Sequence, residues 1–150
     1  MSDLDEIDRR ILQVLVAEGR ITNAALAERV NLSPSACLRR VQELERSGII
    51  TGYRAKIDRR QLGIGLVVFV TVGLSEHTKK AQSAFEKAMA GAEEVIECHN
   101  VSGAFEYLLR VEVGDLAAYK RFHLETLGTL PQVTSITSYF CMASPKDERS

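Results

Sequence analysis

"ITNAALAERVNLSPSACLRRVQELERSG", residues Ile21 to Gly48, holds two helical patterns separated by a three-residue break. Thr22 stands where a helix needs an N-cap, and Leu26 and Val30 follow at helical spacing. "NLS" then reads as a tight turn. Ser33 is placed to cap the next helix, and Pro34 suits its first position, where an N–H would find no partner anyway. Cys37, Leu38, Val41 and Leu44 make an apolar stripe, and Gly48 stops the helix just past its C-cap. Upstream, Leu4, Ile7, Ile11, Val14 and Leu15 give a first helix ended by Gly19. Three helices, the last two joined by a short turn, are helix-turn-helix anatomy.

The pattern changes beyond Gly48. "IITGYRAKID" contains a turn at Thr51-Gly52, and Tyr53, Ala55 and Ile57 alternate with Arg54, Lys56 and Asp58. This predicts a short hairpin, or wing, running into a linker from Arg59 to Gly65. Residues 61–150 then read as strand Leu66–Leu74, helix Thr78–Met89, strand Glu94–Val101, strand Phe105–Val113, helix Leu116–Leu127 and strand Val133–Met142. That order, βαββαβ, is the ferredoxin-like split βαβ unit. "VSGA" supplies the glycine of its central hairpin, and "SPKDERS" is a polar tail expected to fray. The expected fold is α+β. A winged helix-turn-helix over 1–60 would bind DNA, and a ferredoxin-like module would occupy 61–150.

Composition narrows the function. Hydrophobic residues are 45% and charged residues 26% of the 150, and no apolar run is long enough to span a membrane. The start, "MSDLDEIDRR", has no apolar core of a signal peptide, so a cytoplasmic protein is expected. Cys37, Cys98 and Cys141 are scattered and odd in number, which suits reduced thiols rather than a disulfide framework or a metal knuckle. The net charge of −1 hides an asymmetry. Between residues 29 and 60, eight cations (Arg29, Arg39, Arg40, Arg46, Arg54, Lys56, Arg59, Arg60) face three anions, a local +5. A basic patch on an acidic body is the electrostatic footprint of a nucleic-acid binder.

In a helix-turn-helix pair the second helix enters the major groove with its N-terminal residues leading. Ser33, Ser35 and Ala36 occupy that end, with Arg39 and Arg40 one turn later. Small residues allow close approach, and arginine matches phosphates and guanine edges bidentately. Thr22 and Asn23, opening the preceding helix, complete the expected DNA-contacting set. A capped, solvated surface helix is the competing reading of the same residues.

"LVVFVTVGL", Leu66 to Leu74, carries apolar residues on both faces. Two helices cover only one face of such a sheet, and exposed aliphatics cost about 25 cal/mol per Å². No segment is available as an internal lid, so a homodimer through the C-terminal half is expected.

The chain resembles the Lrp/AsnC ("feast/famine") transcription regulators of bacteria and archaea. The likeness rests on "LDEIDRRIL", "GRITNAALAERVNLSPSACLRRVQELERSGIITGYRA", "VSGAFEYLLRV" and "LGTLPQV", in that order along essentially the whole chain. The resemblance implies sequence-specific regulation of transcription on double-stranded DNA. It also implies dimers assembling to tetramers or octamers, and a small effector, usually an amino acid, with no cofactor. The family's glycine turn before the third strand matches Ser102, Gly103 and Ala104. Glu106 stands where the family commonly has Asp, and Tyr107 is retained. Backbone N–H groups around Gly103 would hold an α-carboxylate and Glu106 an α-ammonium. Ser138, Tyr139 and Phe140 match positions that help form the effector site between subunits.

Two rivals belong to other classes. Dimeric ferredoxin-like modules also host enzymes, but no nucleophile–base pair or phosphate-cradling loop is present, so no catalytic residue is expected. His77, His99 and His123 are scattered, and His99 beside Cys98 has no further ligand at metal spacing, so no metal is expected. A DNA-compacting protein without an effector is the second rival.

Overall fold

The computed structural model describes residues 4–147. The chain divides into two compact units, Met1–Lys56 and Ile57–Ser150.

The first unit is built from α1 (Glu6–Ala17), α2 (Asn23–Arg29) and α3 (Pro34–Arg46). Each begins at a side-chain cap. Asp5 accepts from Asp8 N in a full capping box, Thr22 accepts from Ala25 N and Ser33 from Ala36 N. The α2–α3 turn passes through Asn31, whose φ of 56° is a left-handed conformation that asparagine tolerates better than most residues. Ile11, Leu26, Ala27, Val30, Cys37 and Leu44 form the buried core. Gly48, at φ 75°, turns the chain so that Ile50 N bonds back to Leu44 O at 3.0 Å and both Ile49 and Ile50 pack on that core.

Two expectations change here. Leu38, assigned to the core stripe, is 46% exposed. Cys37, Val41 and Leu44, at i, i+4 and i+7, already take the inward line, and Leu38 lies a further 100° round the helix. The predicted hairpin is also missing: no strand forms over 47–58. Packing of Ile49 and Ile50 leaves too few residues before Gly52 for a first strand, so Tyr53–Ile57 has nothing to pair with locally.

The second unit opens with a 3-10 turn, Arg59–Leu62, where a plain linker was expected. Asp58 caps it by accepting from Arg60 N. There follow β1 (Leu66–Leu74), α4 (Lys79–Ala90), β2 (Val95–Asn100), β3 (Tyr107–Val113), α5 (Leu116–Arg121) continued as a wider π turn over Phe122–Leu127, and β4 (Val133–Phe140). The strands form one antiparallel sheet in the order β2-β3-β1-β4, the split βαβ topology. Period-two alternation gives each strand two faces. One set, Val68, Val70, Val72, Tyr107, Leu109 and Val111, is fully buried with Phe85 and Met89 of α4 and Tyr119 of α5.

The opposite face is less apolar than the sequence implied. From β1 it receives Val67, Phe69, Thr71 and Gly73; from β3, Leu108, Arg110 and Glu112. Its centre is ionic. Glu112, with 1% of its side chain exposed, meets Arg110 Nε at 3.0 Å and Arg59 Nη1 at 2.9 Å, the latter without hydrogen-bond alignment. Arg110 stacks over Phe69, 5.6 Å from the ring centroid, and donates to Asp147 at 2.7 Å. The polar tail therefore does not simply fray: as far as Asp147 it supplies a partner for the sheet, while its last three residues lie outside the described region. An internal cover, from the 3-10 turn and the tail, exists where none was expected.

Candidate DNA interface and effector site

Helix α3 presents Ser33, Ser35, Leu38 and Arg39 to solvent, with Ala36 half-buried and the Cys37–Leu44 line turned inward. Ser33 Oγ closes the helix end at 3.3 Å from Ala36 N and lies 3.3 Å from Ser35 Oγ. Thr22 is likewise exposed and engaged in its own cap. Asn23 performs a structural task that the sequence did not announce. Its Nδ2 donates to Pro34 O at 2.8 Å, fastening the start of α3 to the start of α2.

Arg40 departs most from expectation. The sequence predicts it beside Arg39 on the exposed edge. Instead its Nη1 lies 2.7 Å from Asp5 Oδ2 and 2.8 Å from Asp8 Oδ1, and its side chain is 30% exposed. The physical reason is the capping box of α1, which concentrates two carboxylates where α3 crosses it. The Asp8 backbone N–H and then the Arg40 guanidinium hold the Asp5 carboxyl below its ordinary range, and Asp5 and Asp8 raise Arg40 in turn.

The local +5 is thinned in the same way. Arg29 pairs with Glu18, Arg46 with Glu43, Arg59 with Glu112 and Arg60 with Asp58. Among the described residues, Arg39, Arg54 and Lys56 enter no ion pair, and all three are exposed. Leu38 is the residue that sequence reading missed, because it was counted as core. An exposed apolar side chain between Ser35 and Arg39 suits a thymine methyl.

The expected effector residues do not converge within one chain. Ser102, Gly103 and Ala104 are exposed in the β2–β3 turn, with Gly103 at φ 135° and open space around it. Glu106 lies beside them, next to Gly73 on the face away from the helices, and its Oε2 accepts from Leu74 N at 2.7 Å. Tyr107 points the other way. It is fully buried and donates to Glu86 Oε1 at 2.7 Å, and burial with that carboxylate keeps the phenol protonated far above its ordinary range. Ser138 bonds Tyr119, and Phe140 packs edge-on against the same ring at 5.4 Å. Tyr139 faces the opposite side of the sheet and is 55% exposed. Phe140 pairs with Val68 and Tyr107 with Val72, four residues along β1, roughly 13 Å at 3.3 Å per residue. A cleft of about 400 Å³ lies between α4 and β2, lined by Glu86, Met89, Cys98 and Asn100, and shares only Tyr107 with the expected set. Among the described residues no group of three or more His, Cys, Asp or Glu is arranged to hold a metal, and no helix is long and apolar enough to cross a membrane.

A helix-turn-helix with an exposed serine–arginine edge, joined in one chain to a four-stranded split βαβ unit, defines a DNA-binding transcriptional regulator. The chain belongs to the Lrp/AsnC family: residues 67–150 match the Lrp/AsnC ligand binding domain and residues 4–51 a winged helix-turn-helix DNA-binding domain. It is 44% identical over 144 residues to the leucine-responsive regulatory proteins of Klebsiella pneumoniae and Escherichia coli K12, covering 96% of this chain and 88% of each relative. Among solved structures, a transcriptional regulator of Neisseria meningitidis in complex with L-Met superposes with a TM-score of 0.93 at 37% identity, over 97% of this chain and 94% of that one. An AsnC family transcriptional regulator from Agrobacterium tumefaciens gives 0.91 at 32% identity, over 96% and 94%. Fold and family therefore agree with the resemblance drawn from the sequence motifs.

Proposed function

We propose that the chain binds double-stranded DNA through the exposed edge of α3, as a homodimer that assembles further to a tetramer or octamer, and that an amino acid bound between subunits sets its DNA affinity. The observation that carries this reading is the division of α3. Its inward line builds the core while Ser33, Ser35, Leu38 and Arg39 remain open at the leading end. Thr22 contributes from α2. Asn23 and Arg40 support the same surface by holding α3 to α2 and α1. In this reading the first unit supplies DNA contact, and the second supplies effector binding and self-association.

The effector reading draws on the L-Met complex of the Neisseria relative and on the glycine turn with its nearby carboxylate. Ser102, Gly103, Ala104 and Glu106 would hold the zwitterion. Ser138, Tyr139 and Phe140 would complete the site from a neighbouring subunit, with Tyr107 buttressing from the core. A site shared between subunits is consistent with their separation within one chain. The reading includes residence in the cytoplasm with the DNA and contains no catalytic step, cofactor or metal.

Thermal denaturation against the twenty proteinogenic amino acids tests it. An effector at 100 times its dissociation constant adds about 2.7 kcal/mol to stability. The stabilising amino acid should then change affinity for a DNA duplex selected by the protein, because it can act only through differential binding to two states. Stabilisation by none of them would leave a DNA-compacting protein without an effector.

A further inference from the structure

At the end of the sheet where β1 finishes, residues from four segments meet. Gly73 and Leu74 close β1, His77 follows them, Glu106 precedes β3 and Ser135 lies in β4. Glu106 is fixed at every point but one. Its backbone N–H bonds Val72 O at 3.0 Å, and its backbone oxygen accepts from Val101 N at 2.9 Å and from Asn100 Nδ2 at 3.2 Å. Its Oε2 is held by Leu74 N. The absence of a side chain at Gly73 is part of the arrangement: a Cβ there would clash with Ser135 Oγ and come within 3.5 Å of Glu106 Oε2. The remaining carboxylate oxygen, Oε1, lies 3.3 Å from His77 Nδ1. The Glu106 side chain is 18% exposed and that of His77 is 77% exposed, so the carboxylate is anchored and the imidazole is free to swing away.

We propose that His77 is the internal competitor for the effector's ammonium group, occupying Oε1 of Glu106 in the free protein and leaving that oxygen when an amino acid binds. The proposal rests on the reading that Glu106 belongs to the effector site. One outward oxygen cannot serve two cations without placing like charges in contact. An imidazolium holds Oε1 firmly and a neutral imidazole weakly, so effector affinity rises with pH as the imidazole gives up its proton. The amino acid itself stays zwitterionic throughout that change. Among the described residues, His77 is the ionisable group that meets this carboxylate. Asn100 reaches only its backbone oxygen, Ser135 is neutral, and Glu76 beside His77 accepts from Thr78 Oγ1 at 3.5 Å.

Calorimetric titration of the full chain with L-methionine at pH 5.5 and pH 8.0 tests the proposal, on wild type, His77→Gln and Glu106→Gln. Wild type should bind about 3–10-fold more weakly at pH 5.5. His77→Gln, a change at an exposed position, should bind equally at both values and at least as tightly as wild type at pH 8.0. A pH dependence that persists in His77→Gln would belong to another group and overturn the assignment, as would a wild type indifferent to pH. Glu106→Gln separates the two layers. If it weakens binding while His77→Gln keeps the wild-type slope, the site stands and the competitor falls. If it binds as wild type, the site reading fails and His77 with it. No heat from L-methionine or any other proteinogenic amino acid at either pH overturns both.

Discussion

Arg39→Ala should flatten the salt dependence of DNA binding, whereas Arg46→Ala should not. Arg39, Arg54 and Lys56 are the cations of the first unit's basic stretch that enter no ion pair among the described residues. A dimer placing all three on phosphates neutralises six, and log affinity then falls against log salt with a slope of about −5.4, at roughly −0.9 per phosphate. Removing Arg39 takes two of the six and lowers the slope by about 1.8. Between 50 and 200 mM salt, wild type should lose roughly 2,000-fold in affinity and Arg39→Ala roughly 150-fold. Arg46 already has its charge matched by Glu43 at 2.7 Å, so its loss releases few additional counterions and leaves the slope near wild type. Fluorescence anisotropy with a selected duplex and a scrambled one, across a salt series, gives both slopes. If Arg39 also reads a base, an extra 1–3 kcal/mol, about, disappears on the selected duplex only. Equal flattening by Arg46→Ala and Arg39→Ala would refute the reasoning, because pairing in the free protein would then not determine which cations meet DNA.

Other outcomes follow from the second unit and the cap. If the proposed dimer closes on the face away from the helices, Phe69→Lys should dissociate it in sedimentation while leaving the circular dichroism of the sheet intact; Val70→Lys buries a charge among fully enclosed residues and should unfold the unit instead. Glu112→Ala strips a buried carboxylate from Arg59 and Arg110 and should cost about 3–5 kcal/mol, read as a lower melting temperature, and a change under about 1 kcal/mol would mean that the pairing is solvated. Asp5 has a depressed folded-state pKa, so its stabilisation is present above the ordinary aspartate value of 3.8 and is lost as pH falls through the folded value. Asp5→Asn should therefore make acid unfolding of the first unit shallower in this range, and identical acid profiles would remove the cap from the account.

Helix positions were legible because their signals are local. Thr22, Ser33, Pro34, Thr78 and Gly48 all act within one turn of themselves, and each occupies the cap or stop position that its chemistry favours. Strand order was legible too, since βαββαβ with short connections leaves few topologies. What was not legible depends on partners distant in sequence. Arg40 reads as a DNA contact until Asp5 and Asp8, more than thirty residues away, are brought beside it. Asn23 reads as a polar helix start until Pro34 O arrives. Leu38 is a matter of helix phase, a single step round from Cys37. His77 beside Glu106 depends on how the ends of β1 and β3 register, which no local pattern encodes. The hairpin failed for the same reason in reverse: Tyr53 to Ile57 carries a strand's alternation, but the residues that would pair with it are held on the helical core by Ile49 and Ile50.

The division of tasks along α3 affects how such a regulator diverges. Ser33, Cys37, Arg40 and Leu44 are bound to the rest of the unit by a cap, a core and an ionic clamp, so substitution there is penalised before any DNA is met. Ser35, Leu38 and Arg39 touch little of the fold, and under the proposed DNA contact their replacement would alter what the helix reads at small cost to what it is. On that proposal, three positions suffice to change the operator while the scaffold stays the same. Conversely, a change at Arg40 leaves Asp5 and Asp8 without their shared cation, which ties the first turn of one helix to the middle of another.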